Sequence, residues 1–346
     1  MKIGILGHFA RNTDLCDGQT VKTRNLEKAL LDCGKEISTV DSYQWKKHPF
    51  KFLFEIIRLV KKSDVLIMLP DAGGIKVYPY VVNLFARKKT VKIYSIVGAW
   101  LPSYLRENKS VRKQLQKFTY LLPETQTMKK QLEEQGFDNI VIVPNFKDIV
   151  PISEEEIQHE HAEPFKFCMF SRITKEKGIT DGVLACARLN SEEGHAVCKL
   201  DIYGPVSESY REEFSALCEK YKGTVTYKGI VHPSDSVDIL RRYYMLFFPT
   251  LMYYTEGIPG TIIDAFSAGI PVLASEWESC FDVLSVRDSF TFELGNQEAM
   301  YNQLKYCVQN PTIVDRYRRE CLISARKFSA KEAIKIVCDL IECVEK

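Results

Sequence analysis

Short apolar runs along the chain alternate with longer stretches in which apolar residues recur at helical spacing, the rhythm of βαβ units and parallel sheets. Lys2–Leu6 reads as a buried strand ending at Gly7. Thr20–Cys33 reads as a helix, with Val21, Leu26, Ala29 and Leu30 apolar and Gly34 at its end. The same reading places strands at Glu36–Val40, Asp64–Leu69, Val91–Val97, Tyr120–Leu122 and Ile140–Val143. Between them it places helices at Phe50–Lys62, Ile75–Ala86, Ser110–Lys117 and Thr127–Gln135, the last stopped by Gly136. Together these make one doubly wound domain.

Pro144 and Asn145 end that pattern, and the polar, acidic stretch SEEEIQHEHAE at 153–163 reads as a linker or loop. The rhythm then restarts. Strands are expected at Phe165–Phe170, Cys198–Tyr203, Val225–Lys228, Met245–Pro249 and Pro271–Ala274. Helices are expected at Asp181–Asn190, Ser209–Tyr221, Ser234–Tyr243, Thr261–Ala268, Gln297–Asn310, Ile313–Phe328 and Lys331–Val344. The expected architecture is α/β: two Rossmann-like doubly wound domains in tandem, with a ligand in the cleft between them.

Composition agrees with a packed soluble protein. Of 346 residues, 45% are apolar and 27% charged, which excludes a disordered or collagen-like chain. The net charge of +2 argues against a nucleic-acid partner, yet it hides a split. Residues 1–147 carry 25 basic and 14 acidic side chains, net +11, and the remainder is net −9. Such asymmetry points to a polyanionic or membrane-surface partner for the basic half, or simply to two domains with different surfaces. The eleven cysteines lie mostly singly in apolar runs, among them Cys168, Cys186, Cys198, Cys218 and Cys307, and none has CxxC spacing. They read as buried hydrophobes in a reducing cytosol. The opening MKIGILGHF reads straight into a strand, so no signal peptide is expected, and no run approaches the ~20 apolar residues of a spanning helix. The expected location is cytoplasmic, or peripheral on the inner face of the cell membrane.

Three stretches carry candidate chemistry. In residues 249–275, a strand ends at Pro249, a loop carries Glu256, and Gly257-Ile258-Pro259-Gly260 opens a helix that contains Asp264. Free N–H groups at such a helix start hold anions, glycines admit a phosphate, and two carboxylates eight apart suit sugar or ribose hydroxyls. The structural alternative is a Gly-rich βα turn with Asp264 as an N-terminal helix charge. The second stretch, Phe170–Gly178, follows the first strand of the second domain. There Arg172 and Lys177 are placed to meet a diphosphate, although a basic loop alone is most often a solvated surface. The third, Gly7-His8-Phe9 and Asp17-Gly18-Gln19-Thr20, repeats the anion-site logic at Gly18 without being GxGxxG.

SRITKEKG, the Gly229–Val231 GxV and EGIPGTIID together resemble the retaining glycosyltransferases of family 4, of GT-B fold, over nearly the full chain. The DGQTVKT opening, the VGAWLP segment and the VPNF hinge are similar to family members that build bacterial capsule or O-antigen polysaccharide. The family's Glu-x7-Glu pair stands here as Glu256-x7-Asp264, with the second acid one methylene shorter. The resemblance implies that Arg172 and Lys177 neutralise the donor diphosphate in place of a metal ion, consistent with the lack of a DxD pair in a cleft loop. It implies that Glu256 contacts the donor sugar and that Asp264 holds the ribose. The backbone of Gly257, Ile258, Pro259 and Gly260, with Thr261, would hold sugar and phosphate. Gly18 would close on the diphosphate and Ile230 would line the base pocket. The helix after about Phe328 would return to the first domain, giving domains 1–147 plus 329–346 and 148–328. The donor would be a nucleotide sugar, UDP-linked by default with GDP open, and no cofactor or metal is implied.

On the acceptor side, His8, Trp100 and Glu124 are candidates, each with a structural or surface alternative. In Pro49–Lys62, Lys51, Glu55, Arg58 and Lys62 form one polar stripe, and the remaining faces are apolar, wider than an ordinary surface helix requires. That face either packs on the sheet and a neighbouring helix, or meets an anionic membrane with Lys46, Lys47, Lys61 and Lys62 flanking it. A lipid-linked saccharide would be a natural acceptor. Two other readings share the fold: a nucleotide-sugar epimerase, and a non-catalytic sugar-nucleotide binding module.

Overall fold

The computed structural model describes residues 1–15, 17–159 and 161–342; the end of the expected last helix, at Val344, lies outside them. Two compact units are present. The first comprises Met1–Asp148, Thr255–Ile258 and Phe328–Lys346, the second Ile149–Tyr254 and Pro259–Lys327.

The first unit runs β1 (Ile3–Gly7), α1 (Gly18–Asp32), β2 (Ile37–Asp41), α2 (Pro49–Lys62), β3 (Val65–Leu69), α3 (Tyr78–Phe85), β4 (Val91–Ser95), α4 (Leu101–Glu107), α5 (Lys109–Leu115), β5 (Tyr120–Leu122) and α6 (Gln126–Glu133). Its sheet is parallel, in the order β2-β1-β3-β4-β5. β1 and β3 are buried at every residue, which explains their unbroken apolar runs. Side chains alternate between the two faces. Ile3, Ile5 and Ile67 pack with Leu26 and Leu30 of α1, while Leu6, Leu66 and Met68 pack with Phe52 and Ile56 of α2.

The second unit runs β6 (Phe165–Phe170), α7 (Ile179–Glu193), β7 (Cys198–Tyr203), α8 (Arg211–Lys220), β8 (Val225–Gly229), α9 (Ser236–Leu240), β9 (Met245–Phe248), α10 (Gly260–Ser267), β10 (Val272–Ser275), α11 (Cys280–Val283), β11 (Ser289–Phe292), α12 (Gln297–Gln309) and α13 (Pro311–Ala325). The parallel order β11-β10-β9-β6-β7-β8 is the doubly wound dinucleotide-fold order, which reverses between β6 and β9. α14 (Ala330–Glu342) belongs to the first unit, where Ala333, Ile334 and Val337 join the layer of α1.

Several elements differ from the sequence reading. Ile140–Val143 forms a single bridge to β5 instead of a strand, because Pro123 opposite it has no N–H to donate. α4, α11 and β11 are too short to show a periodicity. The acidic stretch is held on the second unit through its described residues. Ile152 N–H donates to the Ser267 carbonyl at 2.9 Å, and Glu156 and His159 pair with Arg241 and Asp315, each at 2.9 Å. Among the described residues no helix is long and apolar enough to cross a membrane.

Candidate active site

In the second unit the reversal of strand order opens a crevice at the loops leaving the carboxyl ends of β6 and β9, where such sheets bind ligands. The β6 loop, Ser171–Gly178, carries Arg172 and Lys177. It is fastened to the turn after β7 by three backbone hydrogen bonds, from Ser171 N–H to Tyr203 O (3.2 Å), Ile173 N–H to Pro205 O (2.9 Å) and Ser207 N–H to Ile173 O (3.0 Å). Gly204, at φ +132°, lies so close to the Ser171 carbonyl that a Cβ would stand 1.8 Å from its oxygen.

The far end of the same loop is fastened to the β9 loop. Leu251 N–H donates to the Glu176 carbonyl at 2.8 Å, and a Cβ on Gly178 (φ +68°) would meet the Pro249 carbonyl oxygen at 1.8 Å. The Lys177 ammonium stands 5.6 Å from the Phe248 ring centroid. Arg172 is exposed and Lys177 half-buried. Glu176 lies between them. Its own backbone N–H and the Thr174 hydroxyl hold its carboxyl below the usual range, with Arg172 and Lys175 adding to the effect. The loop thus presents cations on a backbone fixed at both ends.

α10 starts at Gly260 with Pro259 as its cap residue, and no side chain caps it. Its first turn is the partly positive end of the helix. The Thr261 hydroxyl in that turn is buried with no hydrogen-bond partner. Asp264, one turn further, is buried. Ile230 follows β8 and is 68% exposed. It lies beside Gly229, whose carbonyl accepts from Gly204 N–H at 2.8 Å.

Glu256, Gly257 and Ile258 are placed differently from Pro259–Asp264: they group with the first unit. There the Thr255–Ile258 strap is pinned at both ends. The Thr255 carbonyl accepts from Ala99 N–H at 3.2 Å, and the Ile258 carbonyl accepts from Asn145 Nδ2 at 2.9 Å. Ile258 N–H donates to Glu124 Oε2 at 3.1 Å. Glu256 is buried within the strap.

Glu124, expected near an acceptor or on the surface, is only 3% exposed, and both its oxygens are engaged. Its other oxygen takes the ammonium of Lys22, also 3% exposed, which in turn donates to the Ile96 carbonyl at 2.6 Å. The sequence reading missed Lys22. It sits among the apolar residues of α1, where a charge is read as solvated until the partner's position is known.

Gly18 opens α1, but the N–H groups of Gln19 and Thr20 are already taken by the Asp17 carboxylate at 3.1 and 3.2 Å. An anion there would share the turn with a fixed negative charge. His8 is half-buried, its ring edge-on to Tyr43 at 5.6 Å. Trp100 donates its indole N–H to the Val97 carbonyl at 3.0 Å and packs edge-on against Tyr104, at the start of α4. Among the described residues no cluster of three or more His, Cys, Asp or Glu side chains is placed to hold a metal.

A parallel-sheet pair of Rossmann-type units, one with cations at its switch point, defines a class, and comparison with known proteins identifies it. The chain has the GT-B fold and is a glycosyltransferase: residues 164–310, about two fifths of its length, match the family model described as glycosyl transferases group 1. Among solved structures it is similar to HepE of Anabaena in complex with UDP. The two are 12% identical, the match covers 99% of this chain and 100% of that one, and the TM-score is 0.78. The sucrose-phosphate synthase of Thermosynechococcus elongatus is 13% identical over 99% of both chains, with TM-score 0.78. TarM of S. aureus is 16% identical over 83% of this chain and 57% of that one, with TM-score 0.66. At these identities the structures establish a shared fold. No curated protein sequence matches the chain.

Proposed function

We propose that the protein is a retaining, metal-independent hexosyltransferase. It moves a sugar from a UDP-linked donor to a lipid-linked saccharide during surface polysaccharide synthesis. The observation that carries the donor half is the β6 loop: Arg172 and Lys177 on a backbone locked at both ends, at the strand reversal of the second unit. Arg172 and Lys177 take the donor diphosphate, and the uncapped start of α10 with the orphan Thr261 hydroxyl adds donors of the kind a phosphate accepts. Asp264 accepts from ribose, Ile230 flanks the base, and Glu256, with the backbone of Gly257–Gly260, meets the sugar. HepE has been solved with UDP and with UDP-glucose, which supports the choice of nucleotide.

The chemistry follows from leaving-group stabilisation and positioning. The bond from the sugar's anomeric carbon to the β-phosphate oxygen breaks while the acceptor oxygen bonds to that carbon from the same face. The departing phosphate oxygen takes the acceptor's proton. Two cations on the diphosphate lower the barrier without a general base on the protein.

The acceptor half rests on α2. Its apolar surface divides in the fold: Phe52, Ile56, Leu59 and Val60 enter the core, while Phe50 stays 87% and Phe54 67% exposed. Leu84 of the adjoining α3 is also exposed, and so are the cations of α2 and of the segment before it, Lys46, Lys47, Lys51, Arg58, Lys61 and Lys62. Exposed aromatics and exposed cations on one helix and its lead-in complement an anionic bilayer surface, where a lipid-linked acceptor resides.

The test is a thermal-shift panel of UDP- and GDP-sugars, since a ligand of the folded state stabilises by mass action. A UDP-sugar should raise the melting temperature with or without EDTA. Arg172→Ala and Lys177→Ala should each weaken UDP binding by ~10–100-fold, the worth of a charge-assisted hydrogen bond. No shift with any nucleotide sugar refutes the reading.

A further inference from the structure

The buried Lys22–Glu124 pair has no part in the donor contacts above, yet it touches the strap that carries Glu256. We propose that Lys22 and Glu124 form an internal tether that sets the position of the Thr255–Ile258 strap, making both positioning residues for recognition of the donor sugar. The proposal rests on the reading of Glu256 as the residue that meets that sugar.

Two ionised side chains at 3% exposure are an unusual core component. Burying such a pair requires stripping both charges of water, and well-packed apolar residues of similar volume commonly serve stability as well or better. The pair is therefore better explained by what it holds. Lys22 of α1 reaches the Ile96 carbonyl just past β4, at 2.6 Å. Glu124, just past β5, receives the Lys22 ammonium on Oε1 and offers Oε2 to Ile258 N–H at 3.1 Å. Three segments at the carboxyl edge of the first sheet thus converge on one backbone N–H of the strap. An ionised acceptor binds that N–H more strongly than a neutral one.

Two further features fit a tether. Gly257 lies directly against the Glu124 carboxylate, and a Cβ there would come within 2.3 Å of Oε2. A side chain at 257 would displace the oxygen that holds the next residue. The other two strap bonds, Ala99 N–H to Thr255 O and Asn145 Nδ2 to Ile258 O, fix both ends of the segment. Glu256 then projects from a backbone with little freedom, the condition for a carboxylate that must meet particular sugar hydroxyls.

The experiment compares two double variants that leave no charge unpaired. Lys22→Met/Glu124→Gln keeps a neutral oxygen opposite Ile258 N–H; Lys22→Met/Glu124→Leu removes it. Hydrogen exchange of the peptide spanning residues 255–258 reads the tether without any ligand. Titrations with UDP and with UDP-glucose, UDP-galactose and UDP-N-acetylglucosamine read its consequence. The Leu variant should exchange the strap amides at least ~10-fold faster than wild type. It should keep its UDP affinity within about twofold and lose the extra affinity wild type shows for its preferred UDP-sugar over UDP. The Gln variant should restore most of both.

Gly257→Ala, which disturbs the carboxylate while leaving both charges in place, should show the same exchange and affinity losses and serves if the Leu variant does not fold. Wild-type exchange in the Leu variant or in Gly257→Ala overturns the tether. So does a retained sugar increment in either of them when Glu256→Ala has lost it. If Glu256→Ala itself keeps the increment, the donor reading of Glu256 is refuted, and with it the positioning role, even if the exchange results stand.

Discussion

Gly178→Ala tests how the cationic loop is held. Gly178 has φ +68°, and its Cβ would stand 1.8 Å from the Pro249 carbonyl oxygen, about 1.6 Å short of ordinary contact. The left-handed backbone alone costs an alanine ~1–2 kcal/mol. Relieving a clash with main chain, which cannot rotate away, adds ~1–3 kcal/mol, as for overpacked cores. The sum, ~2–5 kcal/mol, corresponds to a fall in melting temperature of ~5–15 °C for a unit of this size. Gly194, at the other end of α7, is the internal control. Its φ is +73° and no atom lies within 4 Å of where a Cβ would stand, so Gly194→Ala should show the backbone cost alone. Differential scanning calorimetry on both variants, with and without UDP, makes the comparison. Gly178→Ala should also bind UDP at least ~10-fold more weakly, because separating the loop from Pro249 moves Lys177. A Gly178→Ala protein no less stable than Gly194→Ala, with unchanged UDP affinity, would show that the two loops do not depend on that contact.

Two other predictions concern pH and the apolar patch. Burial, with Arg318 nearby, pushes the His161 imidazole down to about 4 from its usual 6.5, against the hydrogen bond to the Gln158 carbonyl and the Asp315 carboxylate, which favour the charged form. Because the unfolded chain binds the proton more readily, stability falls as pH drops from about 6.5 toward 4. The unscreened effect at pH 5 is ~2 kcal/mol; partial exposure reduces it to ~1 kcal/mol. Urea denaturation at pH 7.5 and pH 5 should show this loss in wild type and not in His161→Gln; equal losses would assign it elsewhere. Phe50→Ser/Phe54→Ser should weaken binding to anionic liposomes by at least ~100-fold while leaving UDP affinity unchanged, since burying each ring contributes ~1.5–3 kcal/mol. Sedimentation with vesicles measures it, and binding equal to wild type would remove α2 from the membrane reading.

The sequence by itself determined the repeating βαβ rhythm, the two-unit architecture and the placement of the cationic loop. Those depend on local signals: solid apolar runs for strands buried on both faces, and glycines where the chain must turn. The strand reversal then placed Arg172 and Lys177 at the switch point of the second unit, and Gly178 and Gly204 show why their loop cannot drift. Apolar patterning also found the excess hydrophobic surface of α2, but it could not divide that surface between Phe52, which enters the core, and Phe50, which does not. That division depends on what packs beside the helix.

The roles of charged residues were the least legible. Lys22 and Glu124 are 102 positions apart, and each alone looks like an exposed surface charge. Only the tertiary structure buries them together and aims the second carboxylate oxygen at Ile258. Glu256 and Asp264, eight residues apart in sequence, likewise fall in different units. Hydrophobic burial acts through local periodicity and can be read along one strand or helix. A buried charge is stable only with a partner, and the fold alone decides which distant residue that partner is.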